Sequence, residues 1–383
     1  MIRTSIFALS FALLSACSGQ AAAPEPAEDG SLVSKDGLKL VPIAQDLEFP
    51  WGMAALPNGD LLVTEREGRL RRISKNDLVA EPLSGLPDDI LVEGQGGLLG
   101  ILLDPDFSNN RKLYLSYSKD MGDTNTTAVI SATLSDDARD LMNVTEIFQG
   151  EARETGYHFG SRMAFLPDGS LIITLGDGYR YMKDAQDPNQ LHGKIARVMP
   201  DGSVPSDNPF ASGGGNPAVW SYGHRNVQGL VYHDASDTLF AHEHGPKGGD
   251  ELNVIQPGNN YGWPTITYGI NYDGTIITDQ TEAAGMEQPA VKWVPSIAPS
   301  GMTVVDSAGF EDWSGDLLIG AMDGPRGQKL VRVEIGDDGS VGETEDLLSD
   351  LQTGFRDVIS TPNAIYVATN MLDGIVYRVE KVE

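Results

Sequence analysis

The residues of this chain able to do chemistry sit in polar, glycine-flanked segments. Gly156-Tyr157-His158-Phe159-Gly160-Ser161-Arg162 puts an imidazole on a loop, and Leu175-Gly176-Asp177-Gly178 puts a carboxylate at the end of the strand that follows. A histidine and an aspartate on neighbouring loops make an acid/base pair when the fold brings them together. The stretch from Trp220 to Gly229 adds Arg225, whose glycine-flanked setting suits stabilisation of a developing negative charge. His242 to Asn253, followed by Asn259-Asn260-Tyr261-Gly262-Trp263-Pro264, gathers carboxylates, amides and backbone carbonyls of the kind that a hard cation such as calcium takes. His242 and His244 do not make a zinc site, because no spacing supplies a third ligand, and they read as packing or hydrogen-bonding residues. Glu93-Gly94-Gln95-Gly96-Gly97-Leu98-Leu99-Gly100 approaches a dinucleotide fingerprint but does not join a strand to a helix, which excludes nicotinamide binding. A Gly-x-Ser-x-Gly elbow, a phosphate-binding loop and an HExxH motif are absent from the sequence.

The elements that must position these residues are strands. An apolar stretch, a Pro-Asx-Gly turn and a second apolar stretch recur from Trp51 to Val63, with Pro57-Asn58-Gly59, and from Met163 to Thr174, with Pro167-Asp168-Gly169. These are β-hairpins. Looser copies run from Gly97 to Tyr117, Gly229 to His242, Gly301 to Gly320 and Asp357 to Thr369. No stretch keeps helical periodicity over three turns. The expectation is an all-β, six-bladed β-propeller with four strands per blade, closed by pairing of Gly374 to Glu380 with Leu38 to Ala44 so that no bare sheet edge remains.

The N-terminus reads as an export signal. Arg3 precedes a short apolar run from Ile6 to Leu14 and then Leu14-Ser15-Ala16-Cys17, a lipobox, so residues 1–16 are expected to be removed and the Cys17 thiol lipidated. Residues 17–37 are expected to form a flexible tether and 38–383 the propeller, held in the periplasm by an anchor in the outer membrane. Cys17 is the sole cysteine, which excludes internal disulfides and thiolate metal sites. A net charge of −28 sets the chain against nucleic acid and anionic lipid as partners, leaving the lipid anchor as its expected link to a membrane.

Taken in order, Gly94-Gln95-Gly96-Gly97, Tyr157 to Arg162, Gly176-Asp177, Tyr222-Gly223-His224-Arg225-Asn226, Glu243-His244-Gly245-Pro246, Gly249-Asp250-Glu251, Asn260 to Pro264 and Pro295-Ser296-Ile297-Ala298-Pro299-Ser300 resemble the soluble aldose sugar dehydrogenases that depend on pyrroloquinoline quinone (PQQ), within the glucose/sorbosone dehydrogenase family. The resemblance covers Phe49 to Val379. It implies oxidation of the anomeric carbon of an aldose to the lactone by hydride transfer to calcium-bound PQQ, with a periplasmic electron acceptor and a monomer or weak homodimer. It also implies that His158 is the general base, that Gln95 lies beside base and cofactor, and that Asp177 holds the sugar or orients His158. By the same resemblance Arg225 and Asn226 contact the quinone oxygens, Ser296 touches the cofactor and Arg356 pairs with a PQQ carboxylate. The carbonyls of Gly245 and Pro246 match ligands of the calcium that binds PQQ, and Glu251 and Tyr261 match ligands of a second, structural calcium. Two positions depart from the family pattern: Gly354 stands where a second arginine is usual, and Asp323 where a lysine is frequent. Lys329 or Arg326 is the expected substitute. Two other readings stay open on the same scaffold, a cofactor-free sugar-binding or assembly propeller and a calcium-dependent lactonase.

Overall fold

The two Pro-Asx-Gly hairpins each close on a glycine in the left-handed region, Gly59 at φ 88° and Gly169 at φ 81°. Around it the same two backbone bonds form, Leu56 N–H to the Asp60 carbonyl at 2.8 Å and Leu166 N–H to the Ser170 carbonyl at 2.9 Å. A residue with a Cβ is disfavoured at such an angle, which is why the turn ends in Gly. The strands that leave these turns, Leu61–Glu65 and Leu171–Leu175, are buried along their whole length because both faces of each sheet are covered by neighbouring sheets. The computed structural model describes residues 25–322 and 327–382, so the expected signal peptide, Cys17, Asp323 and Arg326 lie outside the described residues.

The described residues form six antiparallel sheets, five of four strands and one of five. Blade 1 is Pro50–Ala55, Leu61–Glu65, Arg69–Ser74 and Asp77–Leu78, and blade 2 begins at Leu98–Leu103. Blade 3 begins at Met163–Phe165, blade 4 at Val227–His233, blade 5 at Pro299–Val304 and blade 6 at Phe355–Thr361. The first strand of each blade packs against that of the next, and that of blade 6 against that of blade 1, which closes the ring around an axis. The expected closure is present: Gly374–Lys381 pairs with Leu38–Leu47, with Leu40 opposite Val379. The expected tether is ordered at its C-terminal end. Leu32–Val33 adds a fifth strand to blade 6 and Ser31 is buried, so the fold begins near Ser31 rather than at Leu38.

The apolar core lies between adjacent sheets, as where Leu62 and Leu70 of blade 1 meet Leu98, Leu115 and Ile130 of blade 2. All the Pro-Asx-Gly hairpins lie at one end of the ring. The connections between second and third strands, and between one blade and the next, lie at the other, and these carry the polar segments singled out above except Asn259 to Pro264, which belongs to the long connection between the third and fourth strands of blade 4 and reaches the same end through the Trp263 contact with Asp177. Five of the six first strands also carry a bulge near that end, at Pro50/Gly52, Leu98/Ile101, Val227/Gly229, Pro299/Met302 and Phe355/Asp357. A bulge puts an extra residue into one strand and re-aims side chains that strict alternation would send between the sheets.

Candidate functional site

At that end of the axis opens a cavity of about 200 Å³. Trp51, Leu99, Gln228 and Arg356, all from bulged positions, line it, together with Gln95, Phe159, Asn226 and His244 from the loops. The acid/base pair forms beside it. His158 Nδ1 lies 2.6 Å from Asp177 Oδ1, and since a carboxylate oxygen accepts, Nδ1 carries the proton and Nε2 is left as the basic nitrogen. His158 Nε2 has no partner among the described residues.

Several contacts fix this imidazole. Its backbone takes a left-handed φ of 55°, and its N–H donates to Gln95 Oε1 at 2.8 Å, which ties the base to the cavity wall. The His158 carbonyl accepts from Arg153 Nη1 at 2.8 Å. Asp177 is held in turn by the Trp263 indole N–H at 2.8 Å and the Tyr179 backbone N–H at 2.8 Å. The Tyr179 ring stands edge-on to His158 with centroids 5.4 Å apart. Burial and then the positive charge of Arg225 lower the His158 pKa below its ordinary 6.5, while Asp177 works the other way. Burial raises the Asp177 carboxyl, but His158 and Arg225 outweigh it and leave its pKa lowered.

Gly176 makes this pairing possible. A Cβ there would lie 1.9 Å from the His158 carbonyl oxygen, so only glycine lets the strand carrying Asp177 approach the loop carrying the base. Gly176→Ala is expected to cost about 1–3 kcal/mol of stability through overpacking and to lower activity by shifting His158. Denaturant midpoints and initial rates on the same preparation check both effects.

Arg225 does not itself line the cavity; it lies behind His244, where its Nη1 donates to the carbonyls of His244 at 3.0 Å and Gly245 at 2.9 Å. Its backbone N–H is held by Glu243, whose other oxygen takes His224 Nδ1 at 2.9 Å. Asn226 Oδ1 accepts from the Gly160 N–H at 3.1 Å and faces the cavity. Arg356 is buried, with Nη2 on Gln228 Oε1 at 3.0 Å and its guanidinium 4.3 Å from the Trp51 ring. Its Nε has no partner, and the adjacent carboxylate, Asp357, pairs with Arg162 at 2.8 Å instead. Burial, then the charge of Arg162, pushes the Arg356 pKa well below the usual guanidinium value, the mark of a cation without its anion.

The remaining sequence-derived positions lie off the cavity wall. Ser296 Oγ donates to Asp250 at 2.6 Å, and the same Asp250 oxygen takes the N–H groups of Ile297 and Ala298 while its partner oxygen takes that of Gly245. Ser296 is thus part of the frame behind Gly245 and Pro246. Glu251 is pushed up to about 8 by burial and by the negative charges of Glu243 and Asp250. The Tyr261 hydroxyl is spent on the Val254 carbonyl at 2.7 Å and the Gln256 N–H at 2.8 Å. His242 and His244 do not join a metal cluster: His244 Nε2 donates to the Pro299 carbonyl at 2.6 Å, both are neutral through burial, and no group of three His, Cys, Asp or Glu poised for a metal occurs among the described residues. Lys329 does not reach the cavity; its Nζ pairs with Asp346 at 2.6 Å, because the side chain leaves the third strand of blade 5 toward the outer strand. Sequence reasoning missed Trp51, Arg66, Gln228 and Asn370, which also line the cavity.

The profile of the glucose/sorbosone dehydrogenase family matches residues 47–378. The chain is 40% identical over 348 residues to aldose sugar dehydrogenase YliI of Escherichia coli (strain K12), covering 88% of this chain and 92% of that one. Among solved structures, the apo-form of the soluble aldose sugar dehydrogenase from Escherichia coli superposes with a TM-score of 0.84 at 38% identity, over 90% of this chain and 99% of that one. The PQQ-bound form of aldose sugar dehydrogenase from Streptomyces coelicolor gives 0.73 at 28% identity, over 94% and 99%.

Proposed function

The chain belongs to the glucose/sorbosone dehydrogenase family, a family of sugar oxidoreductases, and from that premise we propose that it oxidises the anomeric carbon of aldoses to the lactone, with PQQ as hydride acceptor and calcium as its metal partner. The observation that carries the proposal is an oriented imidazole held just behind the cavity wall through Gln95, beside a cavity lined by a buried guanidinium that has no ion-pair partner among the described residues. The first suits removal of a hydroxyl proton and the second a carboxylate ligand.

The residues present fit the cofactor. Arg356 would take a PQQ carboxylate, Gln95 and Asn226 offer amides at the cavity wall, and Arg225 adds positive charge behind them. The carbonyls of Gly245 and Pro246 would hold the first calcium, within a turn set by Asp250 and Ser296. Glu251, half-buried and paired across the strands with Glu243, would hold the second with the Tyr261 backbone carbonyl, since the Tyr261 hydroxyl is engaged elsewhere. Bound PQQ supplies the electrophilic quinone that accepts the hydride, and calcium supplies Lewis acidity. The chain itself supplies His158 Nε2 to receive the proton of the anomeric hydroxyl, Asp177 to steady the resulting imidazolium, and the Trp263 indole to hold Asp177 in place. Export, a lipid anchor at Cys17 and a periplasmic electron acceptor belong to the same proposal.

The test is dye-linked oxidation of a panel of aldoses by apoprotein given PQQ, calcium, both or neither, with the product identified by NMR. The expected result is lactone formation that requires both additions. Hydrolysis of added lactone without PQQ would replace the proposal with the hydrolase reading.

A further inference from the structure

The cavity holds a cation that the proposed function leaves without a task. Arg66 lies in the turn between Leu61–Glu65 and Arg69–Ser74 of blade 1 and lines the cavity together with Arg356. Its neighbours Arg69 and Arg71 pair with Glu65, yet Arg66 has no ion-pair partner among the described residues. Its guanidinium lies 4.5 Å from the Phe49 ring, and its buried Nε makes no hydrogen bond.

The Arg66 backbone is fixed. Its N–H donates to the Phe49 carbonyl at 3.1 Å and its carbonyl accepts from the Leu98 N–H at 3.2 Å. A Cβ on Gly97 would lie 1.8 Å from that carbonyl oxygen, so the glycine pair before blade 2 leaves room for this turn. The stacked, pinned guanidinium is preorganised, which limits the entropy lost when an anion binds.

The family's second arginine has no room at its usual position here. A Cβ on Gly354 would stand 2.4 Å from the Met322 carbonyl oxygen, and the Gly354 carbonyl accepts the Asn370 N–H at 3.0 Å, so the backbone of the neighbouring loop fills the place of a side chain. We propose that Arg66 supplies the missing charge, binding a second PQQ carboxylate from blade 1 while Arg356 binds the first from blade 6. This rests on the PQQ reading above.

The test is titration of calcium-loaded apoprotein with PQQ, followed by calorimetry and by quenching of tryptophan fluorescence, for wild type, Arg66→Gln and Arg66→Lys. Arg66→Gln is expected to weaken PQQ about 10- to 100-fold, the range for loss of one charge-assisted hydrogen-bonded contact. Arg66→Lys, which keeps the charge and loses the fork, should fall between. PQQ trimethyl ester, which lacks the carboxylates, should bind wild type and Arg66→Gln alike. Should Arg66→Gln bind PQQ within about twofold of wild type, or lose PQQ and the ester equally, the assignment of Arg66 is overturned while the cofactor reading stands. Failure of wild type itself to bind PQQ would overturn the cofactor reading instead.

Discussion

His158→Ala is expected to lower kcat for aldose oxidation about 10²- to 10⁴-fold, the range for loss of a positioned general base. PQQ titration should change little, because His158 stands behind Gln95 and does not line the cavity. The pH profile separates this role from a structural one. An ordinary imidazole loses half its base form at pH 6.5. Burial and the Arg225 charge depress the His158 pKa, so the neutral, active form persists as pH falls below 6.5 and the acid limb of kcat/KM should lie below that value. Asp177 opposes this depression by stabilising the charged ring. Asp177→Asn should therefore move the limb to still lower pH and also reduce the rate, because the proton formed on His158 in the transition state loses its counter-charge. An acid limb at or above pH 6.5 in the wild type would rule out His158 as the titrating base.

How far such roles could be read ahead of the structure depended on whether a residue acts through its own loop or through a partner distant in sequence. The hairpins were legible because Pro-Asn-Gly and Pro-Asp-Gly demand a left-handed glycine, and Gly59 and Gly169 adopt one. Ring closure followed from the cost of an open edge, and Leu38–Leu47 does pair with Gly374–Lys381. His158 and Asp177 were legible as neighbours because a single hairpin, Met163–Phe165 and Leu171–Leu175, separates their loops and returns both to the same end. Trp263 as the anchor of Asp177 was not, since the two are 86 positions apart. Trp51, Gln228 and Arg356 face the axis through bulges, and alternation rules cannot place a residue that breaks alternation. Arg66 was hidden among the arginines of a turn. The pairing of Arg69 and Arg71 with Glu65 leaves Arg66, which lines the cavity, without an ion-pair partner among the described residues. Lys329 failed as the substitute cation for a related reason: strand register, which the sequence leaves open, directs it to Asp346.

Asp357→Ala is expected to destabilise the protein by about 3–5 kcal/mol, the usual cost of stripping one partner from a buried ion pair. Asp357 Oδ1 pairs with Arg162 at 2.8 Å and its Oδ2 accepts the Met53 N–H at 2.7 Å, so one carboxylate joins blades 6, 3 and 1. Blades 3 and 6 face each other across the ring, and in a repeat architecture each unit otherwise touches only its neighbours. Arg162 extends the link by donating to the Gln228 carbonyl of blade 4 at 2.8 Å and by lying 4.2 Å from the Trp51 ring, whose contact with Arg356 was described above. The same constellation therefore forms the floor of the cavity and a strut across the axis. Without Asp357, Arg162 and Arg356 face each other with no buried counter-charge near, and the Met53 N–H loses its acceptor. Urea midpoints for Asp357→Ala, Arg162→Met and the double variant test this. The double variant should recover part of the loss, because removing both charges avoids burying one alone. If the two single losses simply add, the pair does not act as a unit and the strut lies elsewhere in the ring.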